Sequence, residues 1–489
     1  MDQSTQTRGS VRRSLAWTYG THLVVFAVSF ASAVIVSRLL TPRELGVFGV
    51  GMAVAAMLGA ISQFGLANYL IRDHELSRQT IAVGFTVNAL VGLAAGGLLL
   101  LLGTAGQAVF SDPAIARTLR VLALVPVIGI FEFLPATLLI RDRRFGQTSL
   151  VQLGKAMVNA ITVIGFAQAG WGYLSPAIAA VAGAAFGAVA FNMVGFRHIS
   201  FRLSLRGGWT LAVFAVHMMS AGGVSILAPR LAELVVAQML GLGALGLYTR
   251  ASGLAAMIWE GAYGLSTRVI YIQMAAELRE RGTLKQTFLH ATRLLIGIMW
   301  PAMAGLAVIS GPVVHLLYGP QWAGAALPLS ALMIGQVIAI GFAMNWELCV
   351  LTGRTGWQAR IEIARALLGL AGFALGALVS LPVAAMGRIV DVLLGYVVYR
   401  PRMGEMAGAS AAEVRGAYAG GLWLTVAAIA PAAGVMALAG WAPEVPLARI
   451  AVAIVAGAGL WATALRALRH PLFDELAAVL GKKPGHAHG

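Results

Sequence analysis

The chain has 489 residues, 59% hydrophobic and 11% charged, with a mean hydropathy of +0.82 and a net charge of +16. Soluble domains carry roughly 25% charged residues, so composition excludes an ordinary water-soluble enzyme or binding module and makes lipid the solvent. A single cysteine, Cys349, excludes an internal disulfide and a thiolate metal cluster.

A membrane-crossing helix needs about 20 apolar residues, and about fourteen such stretches follow one another along the chain. They cover 18–38, 46–70, 81–103, 119–140, 149–169, 175–195, 211–238, 247–273, 291–310, 328–352, 360–380, 383–400, 418–440 and 449–466. The basic start (Arg8, Arg12, Arg13) leads into a run that is too long for a signal peptide and lacks its small-residue cleavage site. It reads as a retained first span. The segment VVHLLYGPQW (313–322) reads as a short interfacial helix ended by a Gly-Pro turn, with Tyr318 and Trp322 at head-group level. The tail LRALRHPLFDELAAVL (465–480) alternates basic and apolar residues and reads as an amphipathic helix on the inner membrane face.

The basic residues set the topology. Of 35 Lys and Arg, 24 fall at the N-terminus, in the tail and in loops on one side; five (Arg38, Arg43, Arg117, Arg120, Arg449) fall on the other. The positive-inside rule then places both termini in the cytoplasm, with an even number of spans. The +16 charge is explained this way without nucleic acid. Loops are short on both sides, so no soluble domain holds an active site. Six cations remain inside spans: Lys155, Arg230, Arg250, Arg268, Arg365 and Arg388.

The halves resemble each other. LLTPRELGVF (39–48) aligns with MLGLGALGLY (239–248), matching Leu40, Leu45, Gly46 and Phe48 to Leu240, Leu245, Gly246 and Tyr248. RRFGQTSLVQLGKAMV (143–158) aligns with GRTGWQARIEIARALL (353–368), matching Lys155 to Arg365. Six spans per unit give both copies the same orientation, a parallel repeat of the kind transporters use around a substrate site. The predicted fold is an all-α integral membrane protein. Two six-helix lobes, 1–210 and 211–400, are followed by two extra spans at 401–466 and a cytoplasmic tail at 467–489.

Together, SRLLTPRELGVF, LGALGLY, VVHLLYGPQW and GRTGWQ, with the span count and the cytoplasmic termini, resemble the polysaccharide transporter family of the multidrug/oligosaccharidyl-lipid/polysaccharide exporter superfamily. The resemblance implies a flippase of the bacterial inner membrane. Its substrate would be an undecaprenyl-pyrophosphate-linked oligosaccharide, moved by alternating access for O-antigen, capsule or exopolysaccharide assembly. The implied partners are membrane lipids and the polymerase and chain-length machinery of the pathway. No cofactor is implied; coupling to an H⁺ or Na⁺ gradient or to the membrane potential stays open. The family's seventh span often carries an acidic residue shortly before its Leu-Gly motif, where this chain has Ala232 beside Glu233.

An ionisable group at mid-membrane costs about 2.5–3.5 kcal/mol to insert, so it faces water or a partner. Arg and Lys suit a pyrophosphate. Lys155, Arg268 and Arg365, near the cytoplasmic ends of their spans, are the expected capture site, with Arg230 nearer the outer side as a further station. Snorkelling to the head groups is the competing account, and the favoured one for Arg250. Arg230 with Glu233, and Arg388 with Asp391, also suit local i,i+3 ion pairs. Pro229 kinks the span before Arg230. Glu132, Glu233, Glu260 and Glu347 are the candidates for ion coupling or cavity lining. Gly92/Gly96, Gly183/Gly187 and Gly372/Gly376 fit close helix packing.

The chain lacks a G-x-x-x-x-G-K-[ST] phosphate loop, a metal-ligand cluster and a G-x-S-x-G elbow, so ATP hydrolysis and covalent chemistry are not expected. Two other classes compete with the flippase. One is an integral-membrane polymerase or glycosyltransferase of the same pathway, which the short outer loops disfavour. The other is a sister-family drug or cation exporter, which the surplus of intramembrane cations disfavours.

Overall fold

Apolar runs separated by Gly, Pro and charged breaks become helices throughout, because lipid offers the backbone no partner and each segment must satisfy its own amides. The computed structural model describes residues 3–63, 66–72, 77–105, 112–195, 202–204, 223 and 227–479. The chain divides into two compact units, Met1–Gly246 and Leu247–Gly489.

The first unit contains α1 (Gln3–Leu39), α2 (Pro42–Gln63), α3 (Leu66–Arg72), α4 (Arg78–Thr104), α5 (Pro113–Leu122), α6 (Leu124–Arg141), α7 (Phe145–Gln168), a 3-10 turn (Gly172–Leu174) and α8 (Ser175–Val194). Helix α9 follows over 227–240. The long α10 (Leu242–Arg281) begins in this unit and runs on into the second. Helices α1, α6, α7 and α8 pack side by side, and α4 lies on α6. Local signals fix the helix starts. The Thr41 side chain and Glu44 cap α2 reciprocally, Ser77 accepts from Thr80 N at α4, and Asp112 accepts from Ala114 N at α5.

The second unit continues with α11 (Lys285–Val308), α12 (Ser310–Tyr318), a 3-10 turn (Pro320–Ala325), α13 (Ala326–Ile340), α14 (Asn345–Leu351), α15 (Thr355–Ala377), α16 (Leu381–Ala407), α17 (Ala411–Leu438), α18 (Leu447–Ala467) and α19 (Pro471–Val479). Helix α15 lies along α16, and α11 and α18 flank α17. Among the described residues, ten helical segments are long and apolar enough to cross a membrane. Part of the seventh predicted stretch, 211–238, lies outside the described residues, whereas the tenth, 328–352, is two helices rather than one.

Two of the three small-residue pairs do what their spacing predicts; in the third, Gly183 is only in ordinary contact, at 3.8 Å, and Gly187 meets side chains. A Cβ on Gly92 would meet Pro126 O at 2.9 Å, and one on Gly96 would meet Ala123 O at 2.9 Å, so α4 seats directly on α6. Gly372 and Gly376 bring α15 onto the backbone of Gly387 and Val383 in α16 in the same way.

The repeat is visible bond for bond. Leu45 N donates to Thr41 O at 3.1 Å, and Leu245 N donates to Gly241 O at 3.1 Å, an offset of 200. The two motifs also touch reciprocally: a Cβ on Gly46 would overlap the Leu242 carbonyl, and one on Gly246 would overlap the Pro42 carbonyl. The second copy runs at an offset of 210. Arg143 (φ 56°) and Gly353 (φ 73°) turn the chain into α7 and α15. Arg144 N→Leu139 O (2.9 Å) and Arg354 N→Cys349 O (2.8 Å) close the two corners identically.

Three sequence expectations change. Tyr318 and Trp322 are 3% and 0% exposed, so they pack inside the protein and do not present their rings to lipid head groups. Arg250 does not snorkel: its guanidinium stacks over Trp322 at 5.9 Å, and its Nε is buried without a hydrogen-bond partner among the described residues. The tail does not lie as one surface helix. It breaks at 468–470, where Arg469 has φ 47°, and Leu472 is buried with Leu424 and Leu465.

His470 makes that docking pH-dependent. Its Nδ1 accepts from Leu472 N at 3.3 Å, and burial, aided by Arg293 and His290, lowers its basicity. The folded state therefore binds fewer protons than the unfolded one. Stability held above the free imidazole pKa of about 6.5 is lost as pH falls through the lower, folded value. Amide exchange across 471–479 is expected to accelerate below about pH 6, and the pH dependence to vanish in His470→Gln.

Candidate functional site

In the first unit, Lys155 on α7 reaches across to α6, where its Nζ donates to Glu132 Oε1. The lysine side chain is 25% exposed and the glutamate 16%, so the pair is largely withdrawn from solvent. Gly187 on α8 makes room for it: a Cβ there would fall 2.7 Å from Glu132 Oε2 and 2.8 Å from Lys155 Cδ. The sequence left Glu132 without an evident partner because 23 residues separate the two groups. Only the α6–α7 corner brings them together.

In the second unit, Arg365 holds the equivalent position on α15. It donates to Glu362 Oε1 at 2.8 Å and pairs with Asp391 Oδ1 on α16 at 2.9 Å. Its Nε donates to the Asp391 backbone carbonyl at 3.2 Å. The guanidinium lies 4.9 Å over Phe342 and 5.9 Å from the Tyr399 ring. The Tyr399 hydroxyl donates to the same Glu362 oxygen at 2.8 Å. Gly395 on α16 leaves the space: a Cβ there would stand 2.7 Å from Arg365 Nε. Arg388 is the weaker partner of Asp391, at 3.8 Å. The local i,i+3 pair read from the sequence is therefore subordinate to a contact between helices. Glu362, Tyr399 and Gly395 were not singled out from sequence, and Gly187 was singled out only as half of a close-packing pair. Glu362 was legible as an i,i+3 partner of Arg365; the others need the helix contacts.

Arg230 on α9 chelates Glu233 through one nitrogen, at 2.8 and 3.0 Å, and Glu233 is 8% exposed. Glu260 is exposed on α10. Glu347 on α14 is 5% exposed, with Oε2 lacking a hydrogen-bond partner among the described residues. The side chain of Arg268 lies outside the described residues, as does Pro229's predicted effect on the part of its span before 227.

Chemically, each described cation of the expected capture site is held by a carboxylate. Such a pair offers a phosphate no free positive charge until its acid partner moves, is protonated or is displaced. Among the described residues no group of three or more His, Cys, Asp or Glu is placed to hold a metal ion.

Ten apolar helical segments among the described residues, repeated corners and ion pairs between helices define a multi-pass α-helical membrane protein. Residues 35–327 match the family described as "Polysaccharide biosynthesis protein", and the chain belongs to that family. It is 22% identical over 329 residues to the succinoglycan biosynthesis transport protein ExoT of Rhizobium meliloti (strain 1021), covering 67% of each chain. It is 21% identical to the lipopolysaccharide biosynthesis protein WzxC of Escherichia coli (strain K12), covering 80% of this chain and 81% of the relative. In fold it is similar to the lipid II flippase MurJ in an inward closed conformation (TM-score 0.70, 12% identity, 92% of this chain and 99% of that one). It is also similar to a multidrug resistance MATE family transporter of the MOP superfamily in an inward-facing conformation (TM-score 0.63, 15% identity, 79% of this chain and 96% of that one).

Proposed function

We propose that this protein is a flippase that carries an undecaprenyl-pyrophosphate-linked oligosaccharide from the cytoplasmic to the periplasmic leaflet of the bacterial inner membrane, for assembly of a surface polysaccharide. Both termini lie in the cytoplasm in this reading, and no covalent step is involved. The observation that carries it is the equivalence of Lys155 and Arg365, one basic side chain per unit, on helices whose starting corners match bond for bond. A pyrophosphate suits both: it can replace a carboxylate partner with more negative charge and anionic oxygens that Arg and Lys also pair with. The relatives named as transport and lipopolysaccharide biosynthesis proteins, and the lipid II flippase fold, support the same substrate class. A drug exporter is less well supported, because Glu132, Glu233 and Asp391 are already neutralised by Lys155, Arg230 and Arg365.

In a deletion strain, lipid-linked repeat units are expected to accumulate on the cytoplasmic leaflet. Wild type and Lys155→Arg are expected to clear them, and Lys155→Ala to leave at least tenfold more at equal membrane level, about 1.4 kcal/mol of lost binding. Units that reach the periplasm but stay unpolymerised in the deletion strain would contradict the assignment and favour the polymerase.

A further inference from the structure

The tenth apolar stretch is interrupted within its length. Helix α13 ends at Ile340, four residues turn, and α14 starts at Asn345 after Met344, a non-glycine residue with φ 69°. That conformation is uncommon for a side chain of this size. Irregular backbone inside a membrane-crossing segment persists only when surrounding protein satisfies it. Three side chains do so here. The Tyr263 hydroxyl on α10 accepts from Met344 N at 3.0 Å, the Tyr418 hydroxyl on α17 donates to Gly341 O, and Asn345 Nδ2 donates to Phe342 O at 3.1 Å. Asn345 Oδ1 in turn accepts from Gln358 Nε2 on α15 at 3.1 Å.

One polar atom at the break is left over. Glu347 sits in the first turn of α14, 5% exposed, and its Oε2 is buried with no hydrogen-bond partner among the described residues. The charged and titratable groups around the break are few. Tyr263 on α10 interacts electrostatically with Glu347. Arg365 on α15, held by Glu362 and by Asp391 of α16, lies over Phe342. Arg400 of α16 and Tyr418 of α17 border the turn at a small cavity, and Cys349 is buried one turn along α14. None of these gives Glu347 a salt bridge. A buried carboxylate with an unanswered oxygen carries a desolvation cost, relieved by neutralising it.

We propose that Glu347 is a proton-binding site at this helix break. The carboxylate takes one proton from water to become the neutral acid, and returns it. A proton needs one oxygen, and Oε2 provides it. Among the described residues no group of three or more His, Cys, Asp or Glu forms around it to hold a metal, and the polar oxygens of the turn each already accept a hydrogen bond: Tyr263 from Met344 N, Gly341 O from Tyr418, Phe342 O from Asn345 and Asn345 Oδ1 from Gln358. The site adjoins the Met344 turn, where this span is already broken. The proposal concerns proton binding alone and stands whatever the chain transports.

The test is infrared difference spectroscopy of the full-length protein in lipid through a pH step, with sodium binding followed by calorimetry. Wild type is expected to show a carboxylic-acid carbonyl band that titrates. Glu347→Gln should remove that band, Glu260→Gln should retain it, and Glu347→Asp, which keeps the acid if the amide variant misfolds, should shift its frequency. A band unchanged in Glu347→Asp, or the absence of any titrating band, overturns the proposal. So does a sodium binding heat that disappears in Glu347→Gln, because the occupant is then a metal cation.

Discussion

Valine at Gly46 or at Gly246 is expected to separate the two motif helices and leave little folded protein in the membrane. At each position a Cβ would overlap a backbone carbonyl oxygen, Leu242 in one case and Pro42 in the other. Backbone carbonyls cannot rotate away as side chains do, so the helices themselves must part. Overpacking typically costs about 1–3 kcal/mol, and a clash with backbone belongs at or above the top of that range. Alanine already introduces the offending atom and should act in the same direction, less severely. Gly305 is the control: a Cβ added there would meet no described atom within 4 Å, so alanine should be tolerated. Fluorescence-detected size exclusion after mild heating measures the difference. Wild-type melting of Gly46→Ala and Gly246→Ala would show that the contact is loose.

The second large effect is expected at Arg365. Removing one partner of a buried ion pair costs about 3–5 kcal/mol, because the other charge is left uncompensated. Arg365 and Asp391 side chains are 12% and 13% exposed, and loss of the arginine also leaves Glu362 and Asp391 as like charges where a cation joined them. Arg365→Met and Asp391→Leu alone should each melt well below wild type. The double variant should recover much of the loss, because an apolar pair of similar volume is often as stable as a buried salt bridge. Transport separates the structural role from the binding one. A double variant that is folded yet inactive supports Arg365 as a phosphate ligand; one that transports normally restricts Arg365 to holding α15 against α16.

The sequence discloses the lipid solvent, the helices and the repeat, since each is carried by periodic or local signals. The offset of 200 between LLTPRELGVF and MLGLGALGLY reappears in paired hydrogen bonds at Leu45 and Leu245. The capping of α2 is written in Thr41-Pro42-Arg43-Glu44. The ion pairs divide by range. Arg230 with Glu233 is an i,i+3 pair and is legible. Lys155 with Glu132, and Arg365 with Asp391, depend on which helix faces lie together, and apolar sequence carries little information about rotation around a helix axis. The same blindness misplaces Trp322, whose aromatic character fits a membrane interface and a buried core equally well. The break at 341–344 escapes sequence reading because it contains no proline and only one glycine, Gly341; neighbouring tyrosines hold it in place.

Transport of the lipid-linked substrate by the purified protein tests the central claim most directly. The protein is reconstituted into vesicles carrying undecaprenyl-pyrophosphate-linked oligosaccharide in the inner leaflet, and the glycan is followed by its accessibility to an external glycosidase. The account predicts that wild-type protein exposes the inner-leaflet pool much faster than protein-free vesicles do, and that Lys155→Ala does not. Exposure no faster than in protein-free vesicles, from protein shown to be folded and inserted, would contradict it.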